Sequence, residues 1–239
     1  MLNQWVVQSS KTDQMNPLQL AAWHQDATGL IALLEAISDE VFATVVDARN
    51  QCGDTAFHIA AARQSLEGFA AFVSKAQCSP QLFSDILLAQ FVVPFLQRGT
   101  NRLTTPLHLV VEHQPIDNVC LVLQLLTNEA LGNAFVIKND NKKTIEEIAK
   151  TLKDQSMLTF LQLVKDYQEL VKKSQRDKEA PLDLQEFRAR LQQKDKAVEM
   201  FEKFLSFRTE SELIAKLLTP KEAESELSCE SGKSFQKSV

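Results

Sequence analysis

Four short stretches of the chain share one pattern, a polar opening residue followed by a helical run of apolar and small side chains broken by one polar position. They are Asn16-Pro17-Leu18-Gln19-Leu20-Ala21-Ala22, Thr55-Ala56-Phe57-His58-Ile59-Ala60-Ala61, Thr105-Pro106-Leu107-His108-Leu109-Val110-Val111 and Thr144-Ile145-Glu146-Glu147-Ile148-Ala149-Lys150. A threonine hydroxyl opens a helix, and a proline directly after it costs nothing because the first helical N–H has no intrahelical partner. The histidine of the second and third copies can bond back to the turn, and the alanines that follow let a neighbouring helix approach closely. Each unit is too small to bury its own apolar face, so neighbouring units must stack.

Further helices are predicted around these four. Between the second and third copies, Leu82, Phe83, Ile86, Leu87 and Ala89 behind Ser79-Pro80 read as a short extra helix over 79–90, either an elongation of a repeat helix or a separate contact loop. After the fourth copy, Leu158, Leu161, Val164, Leu170 and Val171 predict a helix over 156–178. Pro181 marks a break. A second helix is predicted from 182 or 183 to 206, with Leu184, Phe187, Leu191, Val198, Phe201 and Leu205 as its stripe, interrupted by Lys194. Thr209-Glu210-Ser211-Glu212 has the form of a capping box for a third helix through Leu218. Either these helices form a small bundle against the last repeat, or the phenylalanine stripe is left for a partner helix. With about three heptads and one lysine at a buried position the stripe makes a weak zipper. A monomer is expected, with a coiled-coil dimer as the alternative.

The four phrases resemble the Thr-Pro-Leu-His-x-Ala signature of the ankyrin repeat. The second copy carries the resemblance best, because Asp47-Ala48-Arg49-Asn50-Gln51-Cys52-Gly53-Asp54 runs into Thr55 as an ankyrin finger runs into its first helix. The resemblance implies an all-α ankyrin solenoid of about four repeats over 16–164. Around it lie an N-terminal segment 1–15, a C-terminal helical extension 165–219 and a disordered tail 220–239. The copies depart from the pattern in three ways. They begin 39, 50 and 39 residues apart, against a family period of about 33, so the excess must lie in loops or added helical turns. The finger glycine present at Gly53 is replaced by Leu103 and Lys142 in the later copies. Copies one and four lack the histidine, as expected of terminal repeats that act partly as caps.

Composition narrows the function. A net charge of −5 and a pI near 5.5 argue against a broad nucleic-acid footprint. The six glycines and one tyrosine in 239 residues suit a helical chain better than a sheet. Cys52, Cys78, Cys120 and Cys229 show no CxxC spacing and read as reduced thiols of a cytoplasmic protein. No apolar run approaches the roughly 20 residues that span a bilayer, so membrane insertion is not expected. The opening eight residues lack the basic and apolar parts of a secretory signal. Residues 220–239 carry four glutamates ahead of a short polar end with Phe235. In composition this tail resembles the C-terminal signal of type IV (Dot/Icm) secreted bacterial effectors, many of which carry ankyrin repeats. That resemblance implies delivery into a host cell; a plain solvated tail is the other reading.

Catalytic chemistry is poorly represented. There is no HExxH, glycine-rich phosphate loop, GxSxG elbow or kinase-like motif set. His58 and His108 belong to the repeat phrase and read as turn-bonding histidines rather than ligands or bases. No enzyme activity, metal or cofactor is expected; the expectation is a protein-binding module with a protein partner. By the ankyrin resemblance, contacts fall on the exposed edge of the first helices and on the finger tips. The edge residues are Trp23, His24, Arg63, Gln64, Glu112 and His113. The finger residues are Arg49, Asn50, Gln51, Arg98, Asn101, Arg102, Asn139 and Asp140. Trp23 ranks first because tryptophan and arginine dominate binding hot spots; the other reading of Trp23 is packing against the segment around Trp5. Two roles fit: an effector that engages a host protein, or an endogenous scaffold or inhibitor. An active site in 165–219 would have to work without a histidine or a cysteine.

Overall fold

A computed structural model describes residues 14–77, 85, 87–88, 103–176, 185–192 and 195–208. Among them every regular element is an α-helix. The four phrases form four eight-residue helices: α1 (Pro17–His24), α4 (Ala56–Arg63), α6 (Pro106–His113) and α9 (Ile145–Leu152). Each begins with a reciprocal capping box, in which Asn16 pairs with Gln19, Thr55 with His58, Thr105 with His108 and Thr144 with Glu147. Two N-terminal N–H groups that a helix cannot satisfy internally are thereby paired at each start.

Each short helix turns directly into a second, giving α2 (Ala27–Ala36), α5 (Leu66–Ala76), α7 (Ile116–Leu125) and the long α10 (Gln155–Arg176). The first helices pack in sequence as one row, α1 on α4 on α6 on α9, and the second helices as another, α2 on α5 on α7. Fully buried alanines, Ala22, Ala60 and Ala61, let the first row close up. Phe57 meets Phe69 and Phe72 edge-on at 5.8 and 4.9 Å, and Phe42 meets Phe72 at 5.6 Å, joining the rows in one core.

The long spacing between phrases has a structural cause. A third helix follows the second in copies one and three, α3 (Asp39–Val46) and α8 (Asn128–Ala134), capped by Ser38 and Thr127. Neither was anticipated from the apolar pattern, which in seven- or eight-residue helices is too short to display a period. Of the extra helix predicted over 79–90, Asp85, Leu87 and Leu88 are helical and Leu87 is fully buried. Its other residues lie outside those described.

The C-terminal part differs from the sequence expectation in two respects. The single helix predicted to reach 206 is two helices, α11 (Gln185–Leu191) and α12 (Lys196–Ser206). Asp195 separates them as the N-cap of α12, in extended geometry and accepting from the Val198 N–H. The boundary drawn after residue 164 falls inside α10, which is unbroken there. The helix predicted after Thr209 lies outside the described residues.

Helix α12 packs against both α7 and α10. Its stripe, Val198, Phe201, Phe204 and Leu205, is buried within the one chain, and Tyr167 of α10 meets Phe201 and Phe204 edge-on at 6.1 and 5.8 Å. Polar links between α7 and α12 run in order along both: Asp117 to Lys196 at 2.9 Å, Cys120 Sγ to the Met200 carbonyl at 3.2 Å, Gln124 Nε2 to the Lys203 carbonyl at 2.8 Å. The two helices are therefore parallel and in register. At their shared end Arg208 donates to the Gln124 and Leu126 carbonyls while Gln124 serves the Lys203 carbonyl, so each helix helps to cap the other. Burial pushes the Cys120 thiol up to about 12, which keeps it protonated and unreactive.

Candidate protein-binding groove

The capping-box side chains also reach the next unit along the stack. Gln19 Nε2 donates to the carbonyls of Ala48 and Asp54 at 2.8 and 2.9 Å. His58 Nε2 meets the Thr104 carbonyl at 3.2 Å, and His108 Nε2 the Ile137 carbonyl at 3.3 Å. Because the backbone N–H of Thr105 donates to His108 Nδ1, the proton of that ring sits on Nε2. Burial lowers the His108 pKa, opposed by the carbonyls of Ile137 and Lys143 and by the charges of Asp140 and Glu112.

At the other end of the first helices, Gln64 Nε2 donates to the carbonyls of Ala22 and Gln25 at 2.9 and 3.0 Å. Gln114 repeats this one unit later, to Ala61 and Gln64 at 2.9 and 3.1 Å. Gln64, named above as a contact residue, is thus a buried link between units. The signal was present in the sequence, since Gln25, Gln64 and Gln114 recur at the same 39 and 50 residue intervals as the phrases.

Asn50 and Asn139 were also named as finger contacts, and both are buried inside their turns. Asn50 Oδ1 accepts from the N–H groups of Cys52 and Asp54, and Asn139 Oδ1 from those of Asn141 and Lys143. The two turns match bond for bond: Gly53 N–H returns to the Asn50 carbonyl at 3.0 Å and Lys142 N–H to the Asn139 carbonyl at 2.9 Å. Gly53 has φ of 81° and Lys142 has 59°, so the lysine adopts the left-handed conformation that glycine takes freely. Replacing the glycine has left the turn intact.

The exposed candidates gather on one side. The first helices α1, α4 and α6, with the turn at 139–141, enclose a cleft of about 360 Å³ into which Trp23, Arg63, Glu112 and Asp140 project. Trp23 is 36% exposed, and the Arg63 guanidinium carbon lies 3.4 Å from its ring centroid. That is a close cation–π stack. His24 meets the same indole edge-on at 6.4 Å, and His113 is exposed on α6. Asp140 accepts from the Leu103 N–H and the Thr104 hydroxyl, tying the start of α6 to the following turn. Gln51 is exposed at its turn tip, and Arg49 is half-buried, 3.8 Å from Asp47. Burial lowers the Arg49 pKa, with Asp47 opposing. Arg98, Asn101, Arg102 and Trp5 lie outside the described residues. Ile59, Ala62 and Leu109, which line the cleft, were not anticipated.

Two other clefts are of similar size, about 450 Å³ beside α8 and about 480 Å³ between α10 and α11. Size therefore does not single out the groove. What does is the convergence of an exposed indole and charges of both signs from three consecutive helices. Among the described residues no three His, Cys, Asp or Glu side chains converge as a metal site, and no helix is long and apolar enough to cross a membrane. Fold and cleft together define an all-helical protein of stacked helix pairs with an open, mixed-charge groove along one row. Set against known proteins, the chain matches no family model and no curated protein.

Proposed function

We propose that this chain is an ankyrin-repeat protein that works without catalysis, binding a protein partner through the groove along its first helices. The observation that carries the reading is the Trp23–Arg63 stack, a large aromatic and a guanidinium both open to solvent over a cleft built from successive units. Such pairs are the residue types on which binding energy concentrates. The repeat phrases, the helix rows and the matched Asn50 and Asn139 turns support the ankyrin assignment. The long α10 and the docked α12 make up a helical extension that completes the second row.

The test is affinity capture from lysate with the intact chain beside a Trp23→Ala, Arg63→Ala double variant, both checked by circular dichroism. Loss of a captured partner by a folded double variant is the expected result. A folded variant that retains every partner overturns the groove reading.

The glutamate-bearing tail supports a second, separable proposal, that the protein is an effector exported by a type IV system to engage a host protein. Transfer in a translocation assay should fail when the last twenty residues are removed; unchanged transfer removes that proposal. It would leave the alternative of an endogenous cytosolic scaffold or inhibitor, whose partner would be captured from the cell of origin.

A further inference from the structure

The groove is not evenly charged. At one end Arg63 is held against Trp23, and among the described residues its N–H groups meet no hydrogen-bond acceptor and no carboxylate. A guanidinium fixed by stacking and left with open N–H edges is ordered in advance for a planar anion, because a carboxylate accepts two parallel bonds from that fork. At the other end the exposed carboxylates are Glu112 on α6 and Asp140 in the turn before α9. Asp140 already serves Leu103 and Thr104, whereas Glu112 has no such partner among the described residues.

Resting on the groove reading above, we propose that the occupant is an extended peptide segment carrying a carboxylate for Arg63 and, further along, a cationic side chain for Glu112. Arg63 and Glu112 stand on adjacent packed helices, α4 and α6. Packed helix axes lie about 8–10 Å apart, and an extended chain covers about 3.3 Å per residue. Because the Arg63 guanidinium leans over Trp23 of α1, it stands between one and two helix spacings from Glu112, and the acid and the base of the ligand are about three to six residues apart. The opposite charges at the two ends of the groove fix the direction in which the segment lies, since the reversed peptide would set like charges against each other. The exposed part of Trp23 supplies contact area without discriminating between sequences.

The probe is a phage-displayed library of random twelve-residue peptides, selected on the purified full chain, with enriched peptides measured by fluorescence anisotropy. Enriched sequences should pair an Asp or Glu with a Lys or Arg at that spacing. Arg63→Ala should weaken such a peptide about tenfold or more, as loss of hydrogen bonds to a charged partner does. Arg63→Lys should recover little of it, because an ammonium keeps the charge but not the fork. The exchange Arg63→Glu with Glu112→Arg should enrich peptides with the order of charges inverted.

The failures are distinct. Peptides that compete through the groove, lost with Trp23→Ala, but that show no charge preference overturn this inference and leave the groove reading standing. No enrichment, or enrichment insensitive to Trp23→Ala in a folded variant, overturns this inference, and the groove reading falls with it only if the folded double variant also retains every captured partner.

Discussion

The seam around α12 and the groove around Trp23 are opposites in chemistry and in exposure. The seam collects Phe187, Val198, Phe201, Phe204 and Leu205, the most apolar stripe of the C-terminal sequence, and all of it is buried within the chain. The groove has fewer large apolar side chains, yet Trp23 is open to solvent and carries a stacked guanidinium. An apolar stripe therefore says that a surface must be covered, not that a second molecule covers it. Here α12 finds its cover on α7 and α10, and reciprocal capping by Gln124 and Arg208 satisfies the polar groups at the seam's end.

The contrast makes its strongest prediction in paired truncations. Phe201→Ala should cost about 3–5 kcal/mol, the range for deleting a buried phenylalanine, while Trp23→Ala should cost under about 1 kcal/mol. Urea denaturation of both variants measures the difference, and equal losses would break the comparison. On the binding side the ranking reverses: under the proposal above, Trp23→Ala abolishes capture that a folded seam variant retains.

A second prediction concerns the histidines of the first helices, where His108 is buried while His24 and His113 are exposed. Burial depresses the His108 pKa below its ordinary 6.5. Its contribution to stability is fully present above about pH 6.5 and is lost as the pH falls through the depressed value, by at most about 1.4 kcal/mol per pH unit. Protonation would also place an N–H on Nδ1, opposite the Thr105 N–H that donates to it. His108→Gln should flatten the loss of melting temperature between pH 7 and pH 5, because Gln19 already fills the equivalent place in α1 with a complete capping box. A variant with the wild-type pH dependence would show that another group controls it.

The smallest effect concerns the turns that border the groove. Lys142 takes the left-handed conformation that Gly53 takes in the matching turn. Lys142→Gly relieves that strain and should raise stability by up to about 1 kcal/mol after the entropy that glycine forfeits. Thermal denaturation detects this, and a fall in melting temperature would mean that the Lys142 side chain stabilises its turn in some other way.

Much of the first row was legible in the sequence because its determinants are local. Asn16 with Gln19, or Thr55 with His58, span three residues, and all four predicted starts are capped helix starts. The added helices α3 and α8 were not legible, being too short for a period to emerge. The candidate site was read more coarsely. Trp23, Arg63, Glu112 and Asp140 do face one cleft, but Asn50, Asn139 and Gln64 look like surface polar residues in sequence and are buried in the fold, the two asparagines inside their turns and Gln64 between units. A side-chain amide reads the same whether it meets water or a backbone carbonyl.

What the sequence determined by itself is where helices begin, which face of each is apolar, and that the repeating units must stack. Capping and periodicity act over three to seven residues, and the chain needs nothing distant to express them. What only the tertiary structure decided is the occupant of each apolar face and the exposure of each polar group. Lys196, Met200 and Lys203 meet partners 79 or 80 residues away, and no local pattern distinguishes a stripe covered by α7 and α10 from one left open.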